Sequence, residues 1–183
     1  MTGVAVVAVL SITSHEAAHG YVADRLGDPT ARERGRLTLN PIPHIDPFMT
    51  ILLPALLILS GSGFIFGGAK PVPVNVSRLR NPRRDWALVG AAGPVMNILI
   101  AVGLTALLSV AIKLNLTNAN SSLNAVLAIG IFLNVLLVIF NLIPIPPLDG
   151  SRVLQFFITG KTLAVYRQLE RFGLLIILAL LFL

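Results

Sequence analysis

Cysteine is absent from the 183 residues. That excludes disulfide staples, thiolate nucleophiles and thiolate metal sites, so any metal must be held by imidazole and carboxylate. Charge is scarce too: 12% of residues are Asp, Glu, Lys or Arg against 55% hydrophobic, a balance far from that of a soluble domain. Histidine occurs three times, at His15, His19 and His44. The first apolar run lacks a basic leader, so it reads as a retained segment and not as a cleaved signal. The net charge of +6 does not call for a nucleic-acid partner. Lys and Arg crowd into the loops between apolar runs, as the positive-inside rule expects. The length fits a single domain, residues 1–183.

What is present is a series of apolar runs of membrane length or close to it. They predict an all-α polytopic membrane bundle with about four spanning helices, at 3–24, 86–113, 123–142 and from about 163 onwards. The last run, after Arg171, is short unless its polar start belongs to the helix or the chain is cut there. Pro41, Pro43 and Pro47 exclude a long helix in the loop 25–47, and alternation at 36–39 suggests a short strand. Pro71 and Pro73 favour an extended strand over 69–76. The loops 25–47, 67–85 and 150–171 are basic and 114–122 is not, which puts the first three on the cytoplasmic side. For 25–47 and 67–85 to share a side, the apolar run 48–66 must dip in and return. The other reading is a true span with one basic loop outside.

The second half of the first run carries Ser14-His15-Glu16-Ala17-Ala18-His19-Gly20. On a helix, His15 and His19 lie one turn apart on one face. Glu16 follows the first of them. This HExxH pattern offers two nitrogen ligands for zinc and a carboxylate to take a proton from water. A lone helical His is usually structural, but ionisable groups in a membrane helix mark function by default. A catalytic zinc takes three protein ligands, so a third is needed. Asp149 is the only acidic residue between Asp85 and Glu170. It follows a Pro-rich break at the inner end of an inward-running helix, at the depth of His15 and His19. An Asp there could equally cap the next short helix, and Asp46 and His44 stand behind it as third ligands.

These residues resemble the site-2 protease family of intramembrane zinc metalloproteases. The resemblance rests on His15-Glu16-Ala17-Ala18-His19 together with Asn141-x-x-Pro144-x-Pro146-x-Leu148-Asp149-Gly150. Gly93-Pro94-x-x-Asn97 and the stretches 40–47 and 69–75 also carry it. It implies His15, His19 and Asp149 as ligands of one zinc per chain, Glu16 as catalytic base, and Asn141 in contact with substrate backbone. It also implies a membrane-anchored protein substrate, a lipid bilayer around a multi-pass protein of a prokaryotic cell membrane, and a site open to the cytoplasm. Larger members carry PDZ or CBS domains or a span ahead of the HExxH helix, and none is read in this chain. Lys70, Pro71, Val72, Pro73 and Val74 are expected to meet the substrate as an added strand. His44 is either an occupant of the open zinc position or a structural hydrogen-bonder. Asn97 reads as a buried interhelical hydrogen bond, with the small residues 90–93 permitting close approach. A metal transporter and an inactive membrane-segment scaffold are the rival classes. Glu16 argues against both, since neither needs a proton acceptor beside the first His.

Overall fold

The computed structural model describes residues 2–61, 67–118, 121–173, 175, 176 and 179. Among the described residues seven α-helices follow in order: α1 Thr2–Arg25, α2 Thr30–Glu33, α3 Leu53–Leu59, α4 Pro82–Lys113, α5 Ser122–Asn141, α6 Asp149–Phe157 and α7 Gly160–Leu169. The central helix is α4, which packs against α1, α5 and α6. Its start is set locally. Pro82 occupies the first turn, and the Asp85 carboxylate reaches back to accept from Asn81 N at 2.8 Å. The start of α5 is capped by Ser121, whose Oγ accepts from Asn124 N at 3.1 Å.

Two helices, α4 and α5, are long and apolar enough to cross a membrane. Their most apolar stretches are only 11% and 17% buried within the protein. Ile98, Leu99 and Val102 on α4 and Phe132, Leu136 and Ile139 on α5 are exposed. Helix α1 has the length, 24 residues, but carries the polar motif. The helix expected from about 163 begins as α7 and continues in a tight turn over Glu170–Phe172; part of its apolar end lies outside the described residues.

No strand forms among the described residues, neither at 36–39 nor at 69–76. A strand needs a ladder partner, and Pro41, Pro43, Pro71 and Pro73 withdraw the N–H groups that would build one. Residues 69–75 are irregular and bond to side chains and to the His44 carbonyl in place of a ladder. The apolar segment 48–66 is only partly described, since 62–66 lie outside. Its described helix, Pro47–Leu52 running into α3, is opened by Asp46, whose carboxylate accepts from Phe48 N and Met49 N. Thirteen helical residues extend roughly 20 Å, short of the ~30 Å hydrocarbon core. The chain then comes back to where it left: Gly68 N donates to Met49 O at 3.0 Å, and Thr50 Oγ1 donates to Gly68 O at 2.6 Å. Both flanking loops therefore lie at the same end of the molecule.

Candidate active site

His15 and His19 stand on α1 and are buried. Their Nε2 atoms are 3.1 Å apart. Asp149 opens α6 and sends Oδ2 to 3.1 Å from His15 Nε2 and 3.2 Å from His19 Nε2. The three atoms make a nearly equilateral triangle. Two features bring α6 so close. The Leu142 backbone passes over Gly150, where a Cβ would overlap it. The Asp149 carbonyl lies against Gly90 of α4.

The protons on the imidazoles follow from what each ring touches. Asn134 Nδ2 bonds to the carbonyl of Gly130 at 2.9 Å, which can only accept. Asn134 Oδ1 therefore faces Asn97 and accepts from Asn97 Nδ2 at 2.8 Å. That leaves Asn97 Oδ1 as acceptor, 2.5 Å from His15 Nδ1, so His15 carries its proton on Nδ1. His19 Nδ1 lies 2.6 Å from Val89 O, another pure acceptor, so it too is protonated on Nδ1. With both rings neutral, the Nε2 atoms present lone pairs to each other and to Asp149 Oδ2, which has no hydrogen-bond partner. Three buried lone pairs at this spacing repel unless a cation sits between them. A tetrahedral zinc with bonds of about 2.0–2.1 Å has ligand–ligand edges of about 3.3 Å, close to the triangle observed. The donor set and its spacing fit zinc.

Each of the three candidate ligands is also held from behind, as metal ligands require. Asp149 Oδ1 pairs with Arg152 at 3.1 Å, which leaves Oδ2 facing the two imidazoles. The Arg152 guanidinium in turn lies 4.7 Å over the Trp86 ring. His15 is tied through Asn97 and Asn134 to Ser11, whose Oγ accepts from Asn134 Nδ2 at 2.8 Å and donates to Val7 O. That chain links α1, α4 and α5 by buried side chains. Gly93 allows α4 to lie over the ligands, for a Cβ there would come within 2.5 Å of the Nε2 atoms of both His15 and His19.

Glu16 offers an oxygen within 4.8 Å of the ligand nitrogens of His15 and His19. Its Oε2 accepts from Val72 N at 2.9 Å, which brings the segment 69–76 directly to the site. Of the other expected residues, Lys70 and Pro71 are exposed while Pro73 and Val74 are half-buried. Lys70 N donates to His44 O at 2.8 Å. Asn141 turns its amide back to Leu137 O of its own helix, at 2.9 Å. His44 Nε2 bonds to Thr38 O at 3.0 Å and its Nδ1 lies 3.5 Å from Arg36, away from the metal triangle. Asp46 caps the helix that follows it. Sequence reasoning passed over Asn134, Ser11, Arg152 and Arg36. Asn134 had a signal, an amide in the interior of an apolar helix; Arg36 looked like any basic loop residue.

Residues 108–183, which include Asn141 and Asp149, match the profile of the family described as Peptidase family M50. Over 175 residues the chain is 42% identical to "Putative zinc metalloprotease YwhC" of Bacillus subtilis (strain 168), covering 94% of this chain and 76% of that protein. It is 35% identical over 179 residues to the Rip2 protein of Mycolicibacterium smegmatis, named in the same way, with 94% and 64% covered. Against Rip2 of Mycobacterium tuberculosis (strain H37Rv), also so named, the figures are 33% over 172 residues, 94% and 63%. The chain thus spans somewhat less than two thirds of the length of the Rip2 proteins. No solved structure matches it.

Proposed function

The chain belongs to peptidase family M50, and on that premise we propose that it is a zinc metalloprotease that hydrolyses peptide bonds in or beside the transmembrane segments of membrane-anchored proteins. The observation that carries the proposal is the triangle of His15 Nε2, His19 Nε2 and Asp149 Oδ2, with Glu16 held beside it. His15, His19 and Asp149 hold the metal. When bound, zinc supplies Lewis-acid polarisation of the scissile carbonyl and lowers the pKa of water towards neutrality. Glu16 accepts the proton of the attacking water and passes it to the leaving amine. Asn97 and Val89 O keep the imidazole protons on Nδ1, so both rings stay oriented for ligation.

The protein is multi-pass, with the site opening to the cytoplasm. The exposed apolar faces of α4 and α5 support immersion in lipid. The return of the chain at Gly68 to Met49 and Thr50 supports a re-entrant 48–66, which keeps the basic loops 25–47 and 67–85 on the cytoplasmic side. A substrate unwound into an extended form would lie along 70–74. The donors of Lys70 and Val72 are already engaged, by His44 and Glu16, so a substrate on that side must meet Val74 or displace a bond. Asn141 would have to leave Leu137 O before touching substrate.

The test is cleavage of a membrane-anchored substrate by the purified protein in liposomes. Chelator should abolish cleavage and added zinc restore it, and Glu16→Gln should abolish it while zinc stays bound. Cleavage that survives the chelator, or wild-type turnover in zinc-loaded Glu16→Gln, would refute the proposal.

A further inference from the structure

The segment 69–76 cannot hold itself in place. Residues 69–75 belong to no helix or ladder, and Pro71 and Pro73 bring no N–H to any partner. Yet Val72 N meets Glu16 at hydrogen-bond distance. Something outside must fix this strap, and the contacts at its ends show what does.

Arg36 is 7% exposed, and no carboxylate among the described residues pairs with it. Burying a guanidinium without a counter-ion is costly unless its donors are satisfied. Its Nη2 donates to Lys70 O at 2.6 Å and Pro71 O at 3.3 Å, while its Nε has no partner among the described residues. His44 holds the same residue by its other backbone group, with its carbonyl accepting from Lys70 N at 2.8 Å. The His44 ring gives its proton to Thr38 O from Nε2, so Nδ1 turns a lone pair to Arg36. At the far end, fully buried Asp28 accepts from Asn75 N at 2.5 Å. Between these anchors the Val72 side chain is buried against Gly20 of α1, one residue past the second ligand.

We propose that Arg36 is a positioning residue for the reaction: with His44 it clamps the strap so that the Val72 N–H holds the Glu16 carboxylate at the metal ligands. The proposal rests on the reading of Glu16 as the group that accepts a proton from water. Arg36 touches neither substrate nor metal in this account. It acts through two carbonyls, one strap and one N–H. A carboxylate restrained by that donor keeps one oxygen occupied and the other available, which is the pre-alignment that proton transfer needs.

The prolines make the clamp measurable without activity. A peptide covering 70–74 has exchangeable amides only at Lys70, Val72 and Val74, so hydrogen exchange read by mass spectrometry reports almost residue by residue. In Arg36→Met, Lys70 and Val72 should exchange at least about 10-fold faster than in wild type, while Glu16→Ala should free Val72 and leave Lys70 slow. In turnover, Arg36→Met should lower kcat by about 10- to 100-fold with KM little changed and zinc content unchanged, and Arg36→Lys should recover part of the loss. Should Arg36→Met fail to fold, Val72→Pro deletes the N–H that meets Glu16 within a strap already rich in proline, and the same fall in kcat with zinc retained is expected. Wild-type strap exchange in Arg36→Met overturns the clamp, as does wild-type kcat in Arg36→Met or Val72→Pro, or a loss of activity that only tracks lost zinc. Wild-type protein that cleaves no substrate would instead sink the protease reading, and the exchange experiment would still decide the clamp.

Discussion

His15, His19 and Asp149 stand on helices whose backbone bonds are internal and whose faces are locked by α4. Residues 69–75 form no helix or ladder of their own and hang from Arg36, His44 and Asp28. The two regions meet at Glu16, which is on α1 but is oriented by the strap. The difference separates two tasks. Damage to the helical side should cost metal, and activity with it. Damage to the strap should leave the metal bound and cost turnover alone.

The largest effect is expected on the helical side. Asp149→Ala removes one corner of the triangle and should lose zinc on dialysis along with all cleavage, as metal analysis would record. Zinc content at the wild-type level in that variant would move the third ligand to another residue. Gly93→Ala comes next. Its Cβ would fall within 2.5 Å of both ligand nitrogens, so α4 or the rings must shift. Zinc affinity measured by competition should weaken by about 10- to 100-fold, and unchanged affinity would show that the approach of α4 is not what sets the ligands.

Asn134→Ala reaches the same ligands from further away. It strands the Asn97 amide in a buried site, which should lower stability by about 1–3 kcal/mol and weaken zinc binding more modestly than Gly93→Ala. Denaturation with and without zinc separates the two effects. A variant as stable as wild type would mean that the chain from Ser11 to His15 is not cooperative. The smallest effect belongs to the strap. Asp28→Ala frees only its far end at Asn75, so kcat should fall by a few-fold at most, with zinc content unchanged. Lost zinc in this variant would erase the distinction between the two regions.

Topology offers a sharper view of the strap without touching chemistry. The chain has no cysteine, so single cysteines at Ser77 and Leu116, both exposed, can be probed in intact cells with an impermeant thiol reagent. Leu116 should label and Ser77 should not. Labelling of Ser77 from outside would put the strap on the wrong face of the membrane for the site.

The helical side was legible in the sequence because helices leave a period. Two His four apart must share a face, the long apolar runs announce α4 and α5, and charge parity brings Asp149 to the depth of the HExxH pair. Gly93 could be foreseen only as one of several small residues; that it lies over both Nε2 atoms depends on how α4 rotates about its axis, which no period records. The strap was legible only as an extended stretch of prolines. Its expected ladder is missing, and the bonds that replace it run from a guanidinium and a carboxylate to backbone groups. Such bonds do not depend on which residues supply the carbonyls, so they leave no spacing to read. Arg36 therefore passed as one more basic loop residue, and His44 kept two readings until its ring was seen between Thr38 and Arg36.

The most direct test of the account is X-ray absorption at the zinc edge of the loaded wild-type protein, paired with Asp149→Ala. The account predicts two imidazole nitrogens and one carboxylate oxygen from the protein, at about 2.0–2.2 Å, with a further position open to water. The carboxylate should be lost in the variant. The chain has only three histidines, so a spectrum requiring three imidazoles would place His44 on the metal and contradict both the triangle and the clamp.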